Sequence, residues 1–400
     1  MLFRSSRSPG KCRYSAIRRS VAPRRVDRVS AMTEFSVFDR TAMARAMTLA
    51  ALGARTTQPN PRVGCVIARD ESIVGEGWHQ RAGEPHAEVF ALREAGDRAR
   101  GATAYVTLEP CNHHGRTPPC TEALIAAGIA RVVYANGDPN PQVDGSGAAR
   151  LRAAGMQVET GLLAAAGEEL NRGFFARMRR QRPWLRLKLA ASLDGRTALA
   201  DGESRWISSA ESRADVHEFR AASAAILSTS ATVLADDPQL DARPQQATSR
   251  QPLRILLDST LRIPSTARVF RTPGEIVLLA RESIAIDAAQ IETYGPAVRV
   301  QKIAADHAGR LSLSAALTWT ATIGINEIWT EAGATLAGRL LAEHLVDEVV
   351  LYLAPCFLGP DARPLARVPA LARLADAERW QVHDIGRIGS DVRIMLRRGG

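Results

Sequence analysis

The chain of 400 residues is too long for one ordinary domain, and at about 150 residues per domain it predicts two or three. The hydrophobic share of 46% and the charged share of 24% are those of a globular chain in water, and no uninterrupted apolar stretch approaches the roughly 18–20 residues of a membrane helix. Five unevenly spaced cysteines exclude a disulfide scaffold and favour a metal or catalytic role in a reducing compartment. We therefore predict no membrane partner.

The net charge of +10 is carried mostly by the amino-terminal segment. Residues 1–31 contain eight arginines and one lysine against Asp27, which gives this segment +8 and leaves +2 for the rest. A nucleic-acid-binding protein would need a basic face on its body, so we predict no nucleic-acid partner. We expect residues 1–34 to be a disordered tail outside the fold.

Two explanations of this tail remain open. Its arginine-rich, serine-rich composition resembles an organelle transit peptide, which would direct the protein to an organelle. A start codon assigned too early, with Met32 as the true start, also fits, because 49 arginines against three lysines indicate a GC-rich bacterial genome. The second explanation predicts a cytoplasmic protein.

Residues 35–180 alternate between helical and strand patterns, which predicts a three-layer α/β domain. We expect helices at 37–57, 85–99 and 121–132, strands at 63–68, 102–110 and 131–141, and an antiparallel partner of the first strand at 72–80. A helix over 167–185 ends this domain in a basic run.

Residues 181–397 repeat the alternation and predict a second α/β domain. A helix is expected at 209–223. Strands are expected at 184–198, 225–238, 253–259, 275–280, 327–333 and 343–355.

Three segments of the first domain carry groups that suit zinc, in the order His, Cys, Cys. His86 lies at a helix start, Cys111 follows a strand and Cys120 begins the next helix. One imidazole and two thiolates leave a fourth position of a catalytic zinc for water, whose pKa the metal lowers to about 7. Glu88, two residues after His86, points in another direction and would move protons at that water. Zinc nucleobase deaminases share this arrangement, as H-x-E followed by P-C-x-x-C.

One feature departs from that pattern. Eight residues, N-H-H-G-R-T-P-P, separate the two cysteines, where the pattern has two. His113 or His114 could then act as a fourth ligand, which would close the site to water. A purely structural zinc is the other alternative. Cys65, inside an apolar strand, is expected to be a small core residue.

With this loop, the first domain resembles a known family. The segments P-H-A-E-V, T-L-E-P-C-N-H-H-G-R-T-P-P-C and P-N-P-R-V-G look like the deaminase half of the bifunctional riboflavin-biosynthesis deaminase–reductase family. The resemblance covers nearly all of residues 38–397. It implies a cytidine-deaminase-like domain that binds one zinc ion per chain. The resemblance implies these roles: His86, Cys111 and Cys120 as zinc ligands, Glu88 as the catalytic residue, Asn60 on the pyrimidine ring, and His113 and Arg116 on the sugar phosphate. By position alone, Asn60 is equally well a turn residue and Arg116 a solvated loop residue.

The second domain has no G-x-G-x-x-G after a strand, so the Rossmann dinucleotide motif is absent. A strand ends at Glu331, Gly333 opens a turn, and a helix follows whose first N–H groups could bind phosphate. Most such junctions are only connections.

The resemblance extends to this domain. The segments K-L-A-A-S-L-D-G-R-T-A, A-T-V-L-A-D-D-P-Q-L and W-T-E-A-G-A-T-L-A-G are similar to the reductase half of the same family, which implies a dihydrofolate-reductase-like fold and NADPH as cofactor. Implied cofactor contacts are Ala190, Trp206, Thr232, Asp236, Ser259, Gly333, Ala334, Thr335, Leu336, Ala337, Gly338 and Arg339. Implied substrate contacts are Lys188, Ser204, Arg220, Leu240, Arg243 and Glu331, with the arginines on the 5′-phosphate. Lys188 could equally be a surface charge at a strand end.

The resemblance therefore predicts a two-site enzyme. Zinc-dependent deamination of 2,5-diamino-6-ribosylamino-4(3H)-pyrimidinone 5′-phosphate would precede NADPH-dependent reduction of its ribosyl group to ribityl. The alternative is a zinc deaminase of another amino-heterocycle with a non-catalytic, ligand-binding second domain. Family resemblance also implies a homo-oligomer, formed through the second domain.

Overall fold

The computed structural model describes residues 35–113, 118–140, 143–246 and 250–399. The expectations for residues 1–34, His114 and Arg116 lie outside these ranges. Phe35–Gly400 cluster into one compact unit, and this unit contains two large sheets. Among the described residues, no helix is long and apolar enough to cross a membrane.

The first sheet has five strands in the order β2-β1-β3-β4-β5. β1 pairs antiparallel with β2 and β3, whereas β3, β4 and β5 run parallel. Its strands are β1 Gly64–Arg69, β2 Ser72–Trp78, β3 Thr103–Leu108, β4 Arg131–Asn136 and β5 Gln157–Thr160. The helices of this part are α1 Val37–Ala51, α2 Ala87–Ala95, α3 Cys120–Ala126, α4 Ser146–Ala153, α5 Ala164–Leu170 and α6 Arg172–Arg180, with 3-10 turns Leu52–Arg55 and Gly96–Ala99.

Both faces of this sheet are covered by helices. Successive side chains of a strand point to opposite faces, so Cys65 and Ile67 pack with α2, α3 and α4, while Val66 and Ala68 pack with α1. The three-layer α/β prediction is confirmed. Cys65 is fully buried, as expected of a small core residue.

Two glycines of β2 let α2 lie unusually close to the sheet. A Cβ atom on Gly77 would lie 2.3 Å from the carbonyl oxygen of Ala87, and one on Gly75 would lie 2.2 Å from that of Ala91. Because α2 begins directly after His86 and carries Glu88, this contact fixes the helix that supplies two of the predicted site residues.

We expect Gly77→Ala to lower the free energy of unfolding by about 2 kcal/mol, since the added methyl overpacks a backbone contact. It should also lower the zinc content per chain, because the start of α2 moves outward. Thermal unfolding and metal analysis measure the two effects. Gly386→Ala is the control, because Gly386 has open space at its Cβ position. Equal behaviour of the two variants would contradict the packing argument.

The second sheet has nine strands in the order β11-β10-β9-β8-β12-β6-β13-β16-β15, and β7 and β14 form a separate pair. Neighbours are parallel from β11 to β13, and β16 and β15 add an antiparallel edge. The strands are β6 Trp184–Ser192, β7 Arg196–Ala198, β8 Ala225–Thr229, β9 Leu253–Leu257, β10 Ile276–Arg281, β11 Val298–Ile303, β12 Glu327–Glu331, β13 Glu348–Ala354, β14 Arg363–Pro364, β15 Trp380–Ile388 and β16 Asp391–Arg398. The helices are α7 Ala210–Ala222, α8 Ser230–Asp236, α9 Arg268–Arg271, α10 Ala288–Tyr294, α11 Leu313–Thr322 and α12 Ala334–Ala342, with a 3-10 turn Leu374–Asp376.

Two element predictions are wrong in part. The helix expected over 167–185 breaks at Asn171, because the side chain of Asn171 binds the backbone of Arg62 through two hydrogen bonds of 2.8 Å. The strand expected over 225–238 ends at Thr229, whose side chain accepts a hydrogen bond from the N–H of Thr232 and so starts α8. Sequence patterns also missed β5, β11 and the β15–β16 hairpin.

Candidate active sites

His86, Cys111 and Cys120 come together at one edge of the first sheet. Nδ1 of His86 lies 3.2 Å from Sγ of Cys120 and 3.5 Å from Sγ of Cys111, and one ligand atom from each residue lies within 4.8 Å of the others. Bonds of about 2.0–2.3 Å from one tetrahedral zinc ion would place such atoms about 3.5 Å apart. The donor set and its spacing therefore fit zinc.

Each ligand stands at the end of a regular element. His86 is the N-cap of α2, Cys120 opens α3, and Cys111 follows β3. The buried carboxylate of Glu109 holds the turn that carries Cys111. Its oxygens accept hydrogen bonds from the N–H groups of Gly145 at 3.1 Å and Ala148 at 3.0 Å. The turn between β3 and Cys111 is thereby fastened to α4.

The two cysteines differ in acidity. A hydrogen bond from Cys120, with help from His86, lowers the pKa of the Cys111 thiol to about 4. For Cys120 the neighbouring Cys111 and burial raise the pKa. The site therefore already stabilises one thiolate, which is the form that binds metal.

Glu88 lies directly beside these ligands. Its side chain is buried, and Oε2 has no hydrogen-bond partner in the described part of the chain. Burial raises the pKa of this carboxyl. A buried polar atom without a protein partner is uncommon, and this oxygen is free to bind a water or substrate atom.

Asn60 and His79 form a pair at the same site. Nδ2 of Asn60 lies 3.1 Å from Nε2 of His79, and the ring of His79 meets that of His86 edge to face at 5.3 Å. Sequence reasoning missed His79. The predicted antiparallel pairing of the first two strands could have indicated this residue, because it places the end of β2 beside the start of β1. There the N–H of His79 donates to the carbonyl of Val63 at 2.8 Å. His113 is half-buried, and its Nδ1 has no hydrogen-bond partner among the residues that the structure describes.

A second cluster lies in the nine-stranded sheet, on β6, β12 and α7. Glu331, the last residue of β12, pairs with Arg220 through contacts of 2.6 and 2.9 Å, and Trp329 Nε1 donates to the same carboxylate at 2.7 Å. Lys188 is its register partner on β6. The carboxyl ends of parallel strands are the usual place for ligands in such sheets.

The charged residues of this cluster shift one another's pKa values. Burial alone would raise the pKa of Glu331, but the charge and hydrogen bonds of Arg220 bring it down to about 2. Burial lowers the pKa of Lys188, with Glu331 opposing that effect. Nη1 of Arg220 also donates to the carbonyl of Asp241 at 2.9 Å, so the guanidinium is largely committed to protein partners.

The other predicted substrate residues differ in what they can offer. The side chain of Leu240 is buried in the core, so only its backbone could reach a ligand. Arg243 is largely exposed and rests on His217, which was not predicted, with Nη2 3.3 Å from its Nε2. Ser204 lies in the loop that precedes α7.

The predicted cofactor residues follow successive strand ends. Trp206 is 69% exposed, and Arg213 stacks on its ring at 4.3 Å. Thr232 lies in α8, Asp236 ends that helix, Ser259 follows β9, and Ala190 belongs to β6.

The start of α12 fits a phosphate better than the rest of that helix. Gly333 is its N-cap, and no atom of the described residues lies within 4 Å of where a Cβ would be. The first-turn N–H groups of a helix, here those of Ala334, Thr335 and Leu336, have no intrahelical acceptor. By contrast, Ala337 is buried in the core and Gly338 packs against the backbone of Arg367. Arg339 points away from the helix start, with its Nη2 3.0 Å from both Asp306 and Glu343.

Comparisons with known proteins decide the family. Residues 36–136 match the cytidine and deoxycytidylate deaminase zinc-binding region, and residues 183–394 match the RibD C-terminal domain. The riboflavin biosynthesis protein RibD of Escherichia coli is 52% identical over 88% of this chain and 98% of its own length. The chain belongs to the RibD family. The Haemophilus influenzae member is 46% identical over 91% of this chain and 98% of its own.

Solved structures of the family agree with the fold. Acinetobacter baumannii RibD superposes with a TM-score of 0.84 at 40% identity, covering 91% of this chain and 99% of that one. A Thermotoga maritima protein described as a diaminohydroxyphosphoribosylaminopyrimidine deaminase/5-amino-6-(5-phosphoribosylamino)uracil reductase gives 0.79 at 31% identity, with coverages of 90% and 99%. The RibD family assignment confirms the predicted fold class, a cytidine-deaminase-like part followed by a dihydrofolate-reductase-like part.

This chain is a bifunctional deaminase and reductase of riboflavin biosynthesis. Its deaminase zinc-binding region implies zinc, and its RibD reductase domain implies NADPH. The alternative of a non-catalytic second domain is thereby set aside.

Proposed function

We propose that the chain deaminates 2,5-diamino-6-ribosylamino-4(3H)-pyrimidinone 5′-phosphate in its first site and reduces the product in its second. The observation that carries the first half is the buried, unpartnered carboxylate oxygen of Glu88 beside three ligand atoms of zinc geometry. The name of the Thermotoga maritima relative, which states both activities, supports this choice of substrate. We place the two sites in domains 35–180 and 181–397.

In the deaminase site, His86, Cys111 and Cys120 would hold the zinc ion. When bound, zinc lowers the pKa of a water molecule towards about 7. Glu88 accepts one proton from the attacking water and delivers it to the ring nitrogen. It then passes the second proton of that water, from the hydroxyl of the adduct, to the amino group, which leaves as ammonia as the carbonyl forms. Asn60 orients the pyrimidine by hydrogen bonding to its edge, with His79 holding the Asn60 amide. We propose His113 and Arg116 for the sugar phosphate.

In the reductase site, the N–H groups at the start of α12 bind a cofactor phosphate. NADPH, when bound, supplies the hydride that C1′ of the opened ribosylimine receives. Residues proposed to line its site are Ala190, Trp206, Thr232, Asp236, Ser259 and Gly333 through Leu336. We do not extend this proposal to Ala337, Gly338 and Arg339, because their side chains or backbone are committed to packing and ion pairs.

The substrate side of this site centres on Glu331. Glu331 and the carbonyl of Asp241 keep Arg220 in one orientation and occupy most of its N–H groups. Exposed Arg243 is therefore the main phosphate contact in this proposal, and Arg220 adds its remaining N–H groups. Lys188, whose pKa burial lowers, protonates the sugar oxygen as the ring opens. Ser204 and the backbone of Leu240 complete the pocket.

A staged assay on the purified, zinc-loaded chain tests this proposal. With the diaminopyrimidine ribosyl phosphate and no nicotinamide cofactor, we expect ammonia and no further change. Added NADPH should then be oxidised, one molecule for each ammonia released. Absence of ammonia would overturn the substrate assignment. Ammonia without later NADPH oxidation would overturn the proposed order or the role of the second site.

We also propose a self-association surface and a location. The edge strand β15 exposes Val382 and Ile385, each to 63%, as unpaired apolar surface suited to a second copy of the chain. We propose a homo-oligomer formed through this edge. We place the protein in the cytoplasm, with an organelle as the alternative if residues 1–31 are a transit peptide.

A further inference from the structure

The segment that carries Asn60 is held by residues of the nine-stranded sheet. Nδ2 of Asn326 donates to the carbonyl oxygen of Pro59 at 2.9 Å, and Nη2 of Arg62 lies 3.0 Å from Oε1 of Glu327. These two partners are consecutive in sequence at the start of β12, and both are buried. The anchors therefore lie on both sides of Asn60, one residue before it and two residues after it.

The anchoring residues are themselves fixed. Oδ1 of Asn326 accepts a hydrogen bond of 2.5 Å from Nε of Arg177, and Oε2 of Glu327 accepts one of 2.7 Å from Nη1 of Arg186. A Cβ atom on Gly173 would lie 2.3 Å from Cγ of Glu327, so α6 packs directly against this side chain. Neither anchor can follow a displaced Asn60 segment without breaking a second buried contact.

The charge state of Glu327 is also fixed. Burial alone would raise the pKa of its carboxyl, but the charges of Arg186 and Arg62 outweigh burial and lower it. The carboxylate is therefore ionised at neutral pH. Removing one partner from such a buried group leaves an uncompensated charge, which makes the Arg62 contact a rigid one.

The held segment determines where the Asn60 amide points. Its backbone N–H bonds the carbonyl of Thr57 at 2.8 Å, and its side-chain amide meets Nε2 of His79 at 3.1 Å. With Pro59 and Arg62 both anchored, the amide is held against His79, whose ring contacts that of His86. Small displacements of a group that orients a substrate cost large factors in rate.

We propose that Asn326 and Glu327 are positioning residues for the deamination, so that β12 of the nine-stranded sheet completes the deaminase site. This inference rests on the role proposed for Asn60. The same strand ends at Glu331 in the reductase site, four residues further and thus about 13 Å away. One strand therefore holds a segment of the first site at one end and supplies a residue of the second at the other.

Asn326→Asp in the full-length, zinc-loaded chain tests the proposal. This exchange keeps the size of the side chain and the acceptor for Arg177. It replaces the Nδ2 donor to Pro59 with an oxygen that repels the Pro59 carbonyl, which then keeps only the longer contact of 3.3 Å from Nη2 of Arg177. We expect kcat/KM for ammonia release to fall about tenfold, mainly through KM, as one buried hydrogen bond is lost. Reduction of separately prepared deaminated substrate should be unchanged. Glu327→Gln weakens the contact with Arg62, and it should likewise lower kcat/KM for ammonia release while leaving the reduction unchanged.

The control is Asp347→Asn, another buried acid–amide exchange, at a residue that binds Arg180 and Arg182 and not the Asn60 segment. We expect it to leave the deaminase KM unchanged. Equal loss of both activities in Asn326→Asp would show a merely structural role and overturn the inference. So would an unchanged deaminase KM in both anchor variants.

A double-mutant cycle separates this inference from the function on which it rests. If Asn326 acts through Asn60, Asn326→Asp should add no further loss to Asn60→Ala. Additive losses would overturn the positioning role. Full deaminase activity of Asn60→Ala would instead overturn the role of Asn60, and no ammonia from the unaltered chain would overturn the proposed substrate.

Discussion

Glu88→Gln is expected to abolish ammonia release while leaving zinc bound and the reductase active. The amide keeps the size of the side chain but cannot accept the proton of the attacking water, and a general acid–base group contributes about 10²–10⁴-fold to a rate. Because the proposed ligands are His86, Cys111 and Cys120, the zinc content should stay at one ion per chain. Ammonia release, metal analysis and NADPH oxidation on pre-deaminated substrate measure the three quantities.

Glu94→Gln is the matched control for this experiment. Glu94 lies on the same helix but is exposed, so its exchange should leave all three measurements unchanged. Deamination at the normal rate by Glu88→Gln would contradict the proton-transfer role. Loss of zinc together with activity would mean that Glu88 is needed for metal binding.

Glu331→Gln is expected to lower kcat/KM of the reductase at least about 100-fold and leave the deaminase unchanged. Glu331 holds Arg220 through two contacts, and an uncharged amide frees that guanidinium to turn away from the substrate. Breaking a buried ion pair from one side also costs about 3 kcal/mol or more in stability. NADPH oxidation and ammonia release on the same preparation measure the split. Glu343→Gln, which changes an exposed carboxylate paired with Arg339, is the control.

The stability difference between this variant and the unaltered chain should depend on pH. Glu331 has a pKa of about 2 when folded, below its ordinary value of 4.5, so the ion pair stabilises the fold fully above about pH 4.5. Its contribution is lost as the pH falls towards 2. Chemical denaturation of both proteins at decreasing pH should therefore show their midpoints converging. A difference that stays constant down to about pH 3 would contradict this assignment.

Local sequence determined the order of most helices and strands and the chemistry of the zinc site. His86 and Glu88 stand at a helix start, and Cys111 and Cys120 follow or begin regular elements, because capping and strand-end signals depend on few neighbouring residues. Local signals failed where a distant contact decides the element. Asn171 breaks a helix because its side chain binds the backbone of Arg62, more than a hundred residues away.

Family motifs predicted the residues of the reductase site, but they did not predict the hydrogen-bond partners or the burial of those residues. Arg339 lies in a phosphate-binding motif by sequence, yet Asp306 and Glu343 occupy its guanidinium. Similarly, Leu240 belongs to a substrate motif while its side chain lies in the core. Hydrogen-bond partners and burial depend on residues from other strands, which no local pattern contains.

Sequence alone thus determined two α/β parts, a His-Cys-Cys site with Glu88, and a glycine turn suited to phosphate. The tertiary structure decided which groups lie in contact: His79 with Asn60, Arg220 with Glu331, and Asn326 and Glu327 with the segment that carries Asn60. The physical reason is that residue types and local spacing determine secondary structure and ligand chemistry. Only packing of the two sheets within one unit brings Pro59 and Arg62 against the start of β12.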